Sequence, residues 1–328
     1  MAELPDDPNS APLPPRRRHG RGEIGERAHA TADELKAQLE ATRAQLEATN
    51  ERIEAKAGRN LLAATGIGLV LGALLLLSLM VVKELFLVFA GALVAFTSFE
   101  LASALRFAGR NVPRLPTVVV AVATVPAAFY WGADGKWFVF LGGVAIVVLW
   151  RLAEALIPSR RTSAKDLLKD IGASTLVQVY IPFLAGFAVL LTAQDGGEWW
   201  TLAFIIAVVA ADVGAYASGL TFGRHKMAPN ISPAKTWEGF AGAVVATQIA
   251  GILLMVLMLG KPWWLGVIFG LALVFTATIG DLVESLIKRD LGIKDISTWL
   301  PGHGGFLDRL DSMLPSAAAA YVLFYLFA

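Results

Sequence analysis

From residue 61 to the end, the chain alternates long apolar runs with short polar connections, and that pattern leaves few folds open. The runs are 61–82, 84–105, 116–132, 137–157, 175–193, 200–220, 240–259, 263–287 and 313–327. A hydrocarbon core of about 30 Å takes about 20 helical residues, and a backbone in lipid must satisfy its own hydrogen bonds. The expected class is therefore an all-α polytopic membrane protein with about nine transmembrane helices. Runs 116–132 and 313–327 are short for that task.

Composition agrees, with 56% hydrophobic and only 17% charged residues. A net charge of +1 gives no basic footprint for nucleic acid, and none is expected as a partner. There is no cysteine, which excludes disulfides and thiolate metal sites.

The distribution of Lys and Arg sets the orientation. Arg106, Arg110 and Arg114 follow the second run, and Arg160, Arg161, Lys165 and Lys169 follow the fourth. Arg224, Lys226 and Lys235 follow the sixth, and Lys288, Arg289, Lys294 and Arg309 the eighth. The odd connections hold only Lys83, Lys136 and Lys261. Every basic connection falls on the side of the Arg-rich tail, so the N-terminus is expected in the cytoplasm and the C-terminus outside. The reading is a multi-pass protein of the cell (plasma) membrane with its active site facing the cytoplasm.

Before the membrane part, residues 1–30 are rich in Pro and Arg and read as a disordered tail. Residues 31–59 read as a juxtamembrane helix. AQLEAT occurs twice there, at 37–42 and 44–49, with one apolar position per heptad where a coiled coil needs two. Residues 60–328 form the transmembrane domain. Within its runs, Arg151 and Glu154 are three apart and can pair, while Glu100 has no local partner and is a candidate to line a polar cavity.

Polar residues gather between the last two runs. Asp281, Glu284, Ser285 and Lys288 share one helix face, as do Asp308 and Asp311. Carboxylates brought together repel unless a cation lies between them, and an all-oxygen set selects a hard ion such as Mg2+. Between the two faces lies Pro301-Gly302-His303-Gly304-Gly305, whose glycines before a helix start are expected to leave backbone N–H groups free for an anion. Lys288, Arg289, Lys294 and Arg309 add positive charge. A metal site beside phosphate-cradling donors suggests phosphoryl or nucleotidyl transfer.

The connection from Gly223 to Gly239 repeats the theme with Lys226, Ser232, Lys235 and Thr236. Ser232, Lys235 and Thr236 either cap the helix that follows or hold a triphosphate at its N-terminus. Just before them, Asp212 stands inside an apolar run.

The sequence Ser285-Leu286-Ile287-Lys288-Arg289, then Lys294-Asp295, then 300–311 resembles the C-terminal motif of phosphatidate cytidylyltransferases, with no mismatch across 285–311. Asp212-Val213-Gly214-Ala215-Tyr216, Gly223, Ile231-Ser232-Pro233 and Lys235-Thr236-Trp237-Glu238-Gly239 are similar too. Ala234 departs, where the family often carries a second Lys. The resemblance starts at about Leu61 and implies transfer of the cytidylyl group of CTP to phosphatidic acid, giving CDP-diacylglycerol and pyrophosphate. It implies Mg2+, a second, monovalent cation such as K+, contact with membrane lipid, and a homodimer. It assigns Asp281, Asp308 and Asp311 to the cations and, with Lys288, to catalysis. It assigns Asp212, Lys226, Ser232, Lys235, Thr236, Arg289, His303, Gly304, Gly305 and Arg309 to substrate. A cation-coupled carrier is the competing class, but a carrier gathers its ionisable residues near the bilayer midplane, not at one face.

Overall fold

The computed structural model describes residues 61–160, 162–297, 299 and 304–327. The expected tail, the juxtamembrane helix and His303 lie outside the described residues. Helices dominate: α1 (Leu61–Met80), α2 (Lys83–Phe107), α3 (Arg114–Leu156), α4 (Ala164–Gln178), α5 (Leu184–Ala193), α6 (Gly197–Phe222), α7 (Trp237–Leu253), α8 (Trp263–Asp290), α9 (Leu307–Leu310) and α10 (Met313–Phe327). Single π-turns, Val179–Phe183 and Leu254–Met258, continue α4 into α5 and extend α7. Among the described residues, seven helical stretches are long and apolar enough to cross a membrane, as a multi-pass membrane protein requires. In that count α4 and α5 make one stretch, as do α9 and α10.

α3 is 43 residues long, about twice what one crossing needs. Gly132 breaks it at φ +63°, a left-handed conformation that costs glycine little. The two arms then fold together closely: a Cβ at Gly143 would lie 2.0 Å from the Val120 side chain.

α4 starts at Ala164, well before the apolar run at 175. Ser163 caps it, its Oγ accepting from the Asp166 N–H at 3.1 Å and donating to the Asp166 carboxylate at 2.7 Å. Lys165 and Lys169, read as connection residues, are therefore on the first turns of a helix. Asp170 on that helix is the acid that Arg151 meets. Nε and Nη2 of Arg151 both donate to Asp170 Oδ2, at 3.1 and 2.8 Å, and both side chains are buried. A buried guanidinium and carboxylate tie α3 to α4, and removing either would leave the other charge uncompensated.

Small residues set the close helix contacts. Gly214 of α6 and Gly242 of α7 face each other across backbone contacts, and Gly251 of α7 meets Gly266 and Gly270 of α8. Such stripes let helices approach without a hydrophobic drive between them. In α1, by contrast, a Cβ at Gly66 or Gly72 would meet nothing within 4 Å. Those two glycines leave space rather than close it.

The helices agree with the expected all-α polytopic class, with one local exception. Lys226–Ala228 (β1) pairs antiparallel with Ser232–Thr236 (β2), so a short hairpin interrupts the otherwise helical chain.

Candidate active site

The polar end of α8 is built around Lys288. Its Nζ donates to Asp308 Oδ1 at 2.9 Å and lies 2.5 Å from Oε2 of the fully buried Glu284, one turn back. An ammonium between two carboxylates ties α8 to the start of α9. Lys288 is thus placed to order the acids around it.

The glycine-rich segment is held differently from expectation. Asp308 Oδ2 accepts from Gly305 N–H at 2.8 Å and Ile296 N–H at 3.3 Å. Glu100, buried in α2, takes the next two donors, Phe306 N–H and Leu307 N–H, each at 3.0 Å, and accepts from Ser297 Oγ at 2.5 Å. The N–H groups expected to await a phosphate at Gly305 and at the start of α9 are therefore satisfied by two of the protein's own carboxylates. Glycine is needed for that closure. A Cβ at Gly305 would lie 2.9 Å from Asp308 Oδ2 and 3.0 Å from Glu100 Oε2, and Gly304 has φ +83°. Rings brace the same segment: Phe96 stacks on Phe306 at 5.0 Å and Phe99 on Trp299 at 5.5 Å between centroids.

The β1–β2 hairpin meets this end of α8. Lys235 Nζ stands 2.7 Å from Asp281 Oδ2, and Arg289 Nε donates to the Ile231 carbonyl at 3.1 Å. Thr236 is the N-cap of α7, its Oγ1 accepting from Gly239 N–H at 3.1 Å, which realises the capping alternative for that residue. Glu238 gathers the hairpin's start by accepting from the Arg224 and His225 N–H groups. Ser232 is half-buried, and Lys226 is exposed at the opposite strand.

Asp212, Asp281 and Asp311 come within electrostatic reach of one another from α6, α8 and the turn before α10. Ser312 bridges two of them: its Oγ donates to Asp212 Oδ2 at 3.3 Å and its N–H to Asp311 Oδ1 at 2.7 Å. Gly280 makes the approach of α8 possible, since a Cβ there would lie 2.2 Å from the Asp311 carbonyl oxygen. Lys235 and Arg309 oppose Asp212, and Lys288 opposes Asp311. With Glu284 and Asp308 included, the acids outnumber these cations.

The structure thus brings together Asp212, Lys235, Asp281, Lys288, Asp308, Arg309 and Asp311. Within that group Asp308 already accepts from three protein donors. Among the described residues, no three acidic or histidine side chains stand ready at metal spacing. Sequence reasoning missed Glu284 and Ser312 as parts of the site. Glu284 was visible as a helix-face neighbour of Lys288, whereas Ser312 gave no signal of its own.

The model of a family described as cytidylyltransferase family matches residues 63–327. A protein of Mycobacterium bovis named phosphatidate cytidylyltransferase is 39% identical over 274 residues, covering 82% of this chain and 90% of that one. A Mycobacterium leprae protein of the same name is 38% identical over 276 residues, covering 82% and 88%. One from Brucella suis biovar 1, again of that name, is 40% identical over 151 residues, covering 44% and 56%.

Proposed function

From the premise that the chain belongs to the cytidylyltransferase family, we propose that it joins CTP to phosphatidic acid, giving CDP-diacylglycerol and pyrophosphate. The observation that carries the reading is the Lys235–Asp281 contact, which unites the two motif regions at one polar end of apolar helices. A soluble nucleotide and a lipid headgroup can both reach such a place while acyl chains stay in hydrocarbon.

The attacking atom is an oxygen of the phosphatidate monoester. Its second pKa is about 6, so it is ionised near neutrality and needs no strong general base. It forms a bond to the α-phosphorus of CTP as the bond from that phosphorus to the bridging oxygen of the β-phosphate breaks, and pyrophosphate leaves. The protein's task is then positioning and charge neutralisation. Lys235 is placed for the triphosphate, since an ammonium has three donors and Asp281 uses one. Arg309, beside Asp212, is placed for the phosphatidate. Lys288 holds Glu284 and Asp308 and so fixes the acids rather than meeting phosphate first.

The excess of acids over cations, all oxygen donors, fits Mg2+, which takes one or two carboxylates and completes its shell with substrate phosphates. Asp281 and Asp311 would hold it, with Asp212 beside them. Asp308 fits that role least, because protein donors already occupy it. When bound, the ion would lower the repulsion between two anionic substrates, and a monovalent cation such as K+ would add to this.

The same reading takes the nine apolar runs as nine crossings, Gly132 turning α3 back on itself. It puts the N-terminus and the site on the cytoplasmic side of the plasma membrane, and pairs the chain in a homodimer. The test is purified protein with CTP, phosphatidic acid and Mg2+, following CDP-lipid by mass spectrometry. Formation that Asp281→Asn abolishes supports the reading, and none with folded protein overturns it.

A further inference from the structure

A cavity opens beside the acid cluster. Its volume is about 420 Å3, and it runs between α1, α2, α5, α6 and α10. Leu75, Phe89, Leu93, Ile205 and Leu314 are among the side chains that line it. Its hydroxyls are already used: Thr97 Oγ1 donates to the Leu93 carbonyl at 2.6 Å, and Thr201 shares a hydrogen bond with Thr192 at 2.9 Å. Arg309 is the one charged side chain among the described lining residues, and it stands next to Phe306, where the groove meets the polar site.

We propose that this groove holds one acyl chain of the lipid substrate, with Arg309 at its mouth receiving the phosphate. The proposal rests on the reading of the site as one that uses phosphatidic acid. Length supports it. On α2 the lining residues extend from Phe86 to Thr97, which at 1.5 Å per residue is about 16 Å. That is half a hydrocarbon core of about 30 Å, the depth one leaflet's chain occupies. Width supports it as well. A cavity of about 420 Å3 spread over that length is a narrow channel with room for a hydrocarbon chain. Apolar voids of this size are few in close-packed protein interiors. The open Gly72 of α1 now has a role: Gly68, Leu71, Gly72 and Leu75 line the groove at helical spacing, and at Gly72 a side chain is missing where a chain would lie.

Gly72→Leu tests this with little risk to folding, because a Cβ there meets nothing within 4 Å. The comparison is the ratio of KM for dioleoyl to dioctanoyl phosphatidic acid, with Gly91→Leu, a glycine with equal space that is not among the lining residues, as control. The groove predicts that Gly72→Leu raises the ratio about tenfold, the factor for roughly two CH2 groups displaced from burial. Gly91→Leu leaves it unchanged. An unaltered ratio in Gly72→Leu overturns the proposal.

Photocrosslinking of the wild-type protein gives a readout that does not need turnover. A phosphatidic acid with a diazirine at the acyl terminus should label Leu75, Leu93 or Leu314. Label confined to the outward-facing Val88 and Val213, or a crosslink between two copies through the groove, overturns it. If the wild type makes no CDP-lipid from either substrate, the reaction assignment fails. The labelling pattern still decides whether the groove binds lipid.

Discussion

Lys235 Nζ and Asp281 Oδ2 stand 2.7 Å apart, an ion pair joining the hairpin before α7 to the polar end of α8. If Lys235 faces the triphosphate as proposed, Ala234 beside it leaves Lys235 to carry more of that charge. A hydrogen bond between charged groups is worth about 1.5–3 kcal/mol, or roughly ten- to a hundredfold in affinity. Lys235→Ala should raise the KM for CTP by that factor and change the phosphatidic acid term little. Ala234→Lys added to it should restore part of the loss. Steady-state kinetics with each substrate varied in turn decide it; a shift in the lipid term alone would assign Lys235 to the phosphatidate.

Glu100 reaches from α2 to take the backbone donors of Phe306 and Leu307 and the hydroxyl of Ser297. Glu100→Ala leaves those N–H groups buried without acceptors, at about 1–3 kcal/mol each. The variant should melt lower in detergent and lose most of its turnover. Glu100→Gln, which keeps one acceptor oxygen, should fall between it and wild type. An unchanged melting temperature in Glu100→Ala would mean that the 304–307 segment is held by its ring contacts instead.

Gly280 permits the contact between α8 and the turn at Asp311. Gly280→Ala must move one of them, since its Cβ would lie 2.2 Å from a carbonyl oxygen. Overpacking of this kind costs about 1–3 kcal/mol. Turnover should fall at least tenfold, because the same movement separates Asp281 from Asp311. Gly142→Ala, where a Cβ meets nothing within 4 Å, should behave as wild type in both melting and kinetics.

How much of this the sequence discloses depends on range. The apolar runs are local, cumulative signals, and they foretell a helical, multi-pass protein. The i, i+3, i+7 spacing of Asp281, Glu284 and Lys288 foretells one shared face. Contacts between distant segments are not written that way. Glu100 meets Phe306 across about 200 positions, and nothing near Glu100 announces that it will satisfy the glycine-rich segment. For the same reason Arg151 reads as a partner for nearby Glu154, while the fold supplies Asp170. The start of α4 was legible in principle: Ser163-Ala164-Lys165-Asp166 has the spacing of a capping box. The apolar pattern outweighed it.

Asp308 and Asp311 should separate under substitution. Asp311→Asn removes a carboxylate proposed to face Mg2+, so it should raise the Mg2+ concentration for half activity while leaving melting nearly unchanged. Asp308→Asn removes the acceptor of Lys288, Gly305 and Ile296, so it should lower the melting temperature as well. Chelation with EDTA should stop turnover in wild type, and added Mg2+ should restore it. If Asp308→Asn shifts only the Mg2+ requirement, it is Asp308 that holds the ion.

The most direct test of cytidylyl transfer uses CTP labelled either at the α- or at the γ-phosphate, with purified protein, phosphatidic acid and Mg2+. The account predicts that α-label enters the lipid fraction while γ-label leaves as pyrophosphate. A lipid product carrying γ-label would mean a CTP-dependent kinase, and label in neither lipid product would contradict the assignment of the site altogether.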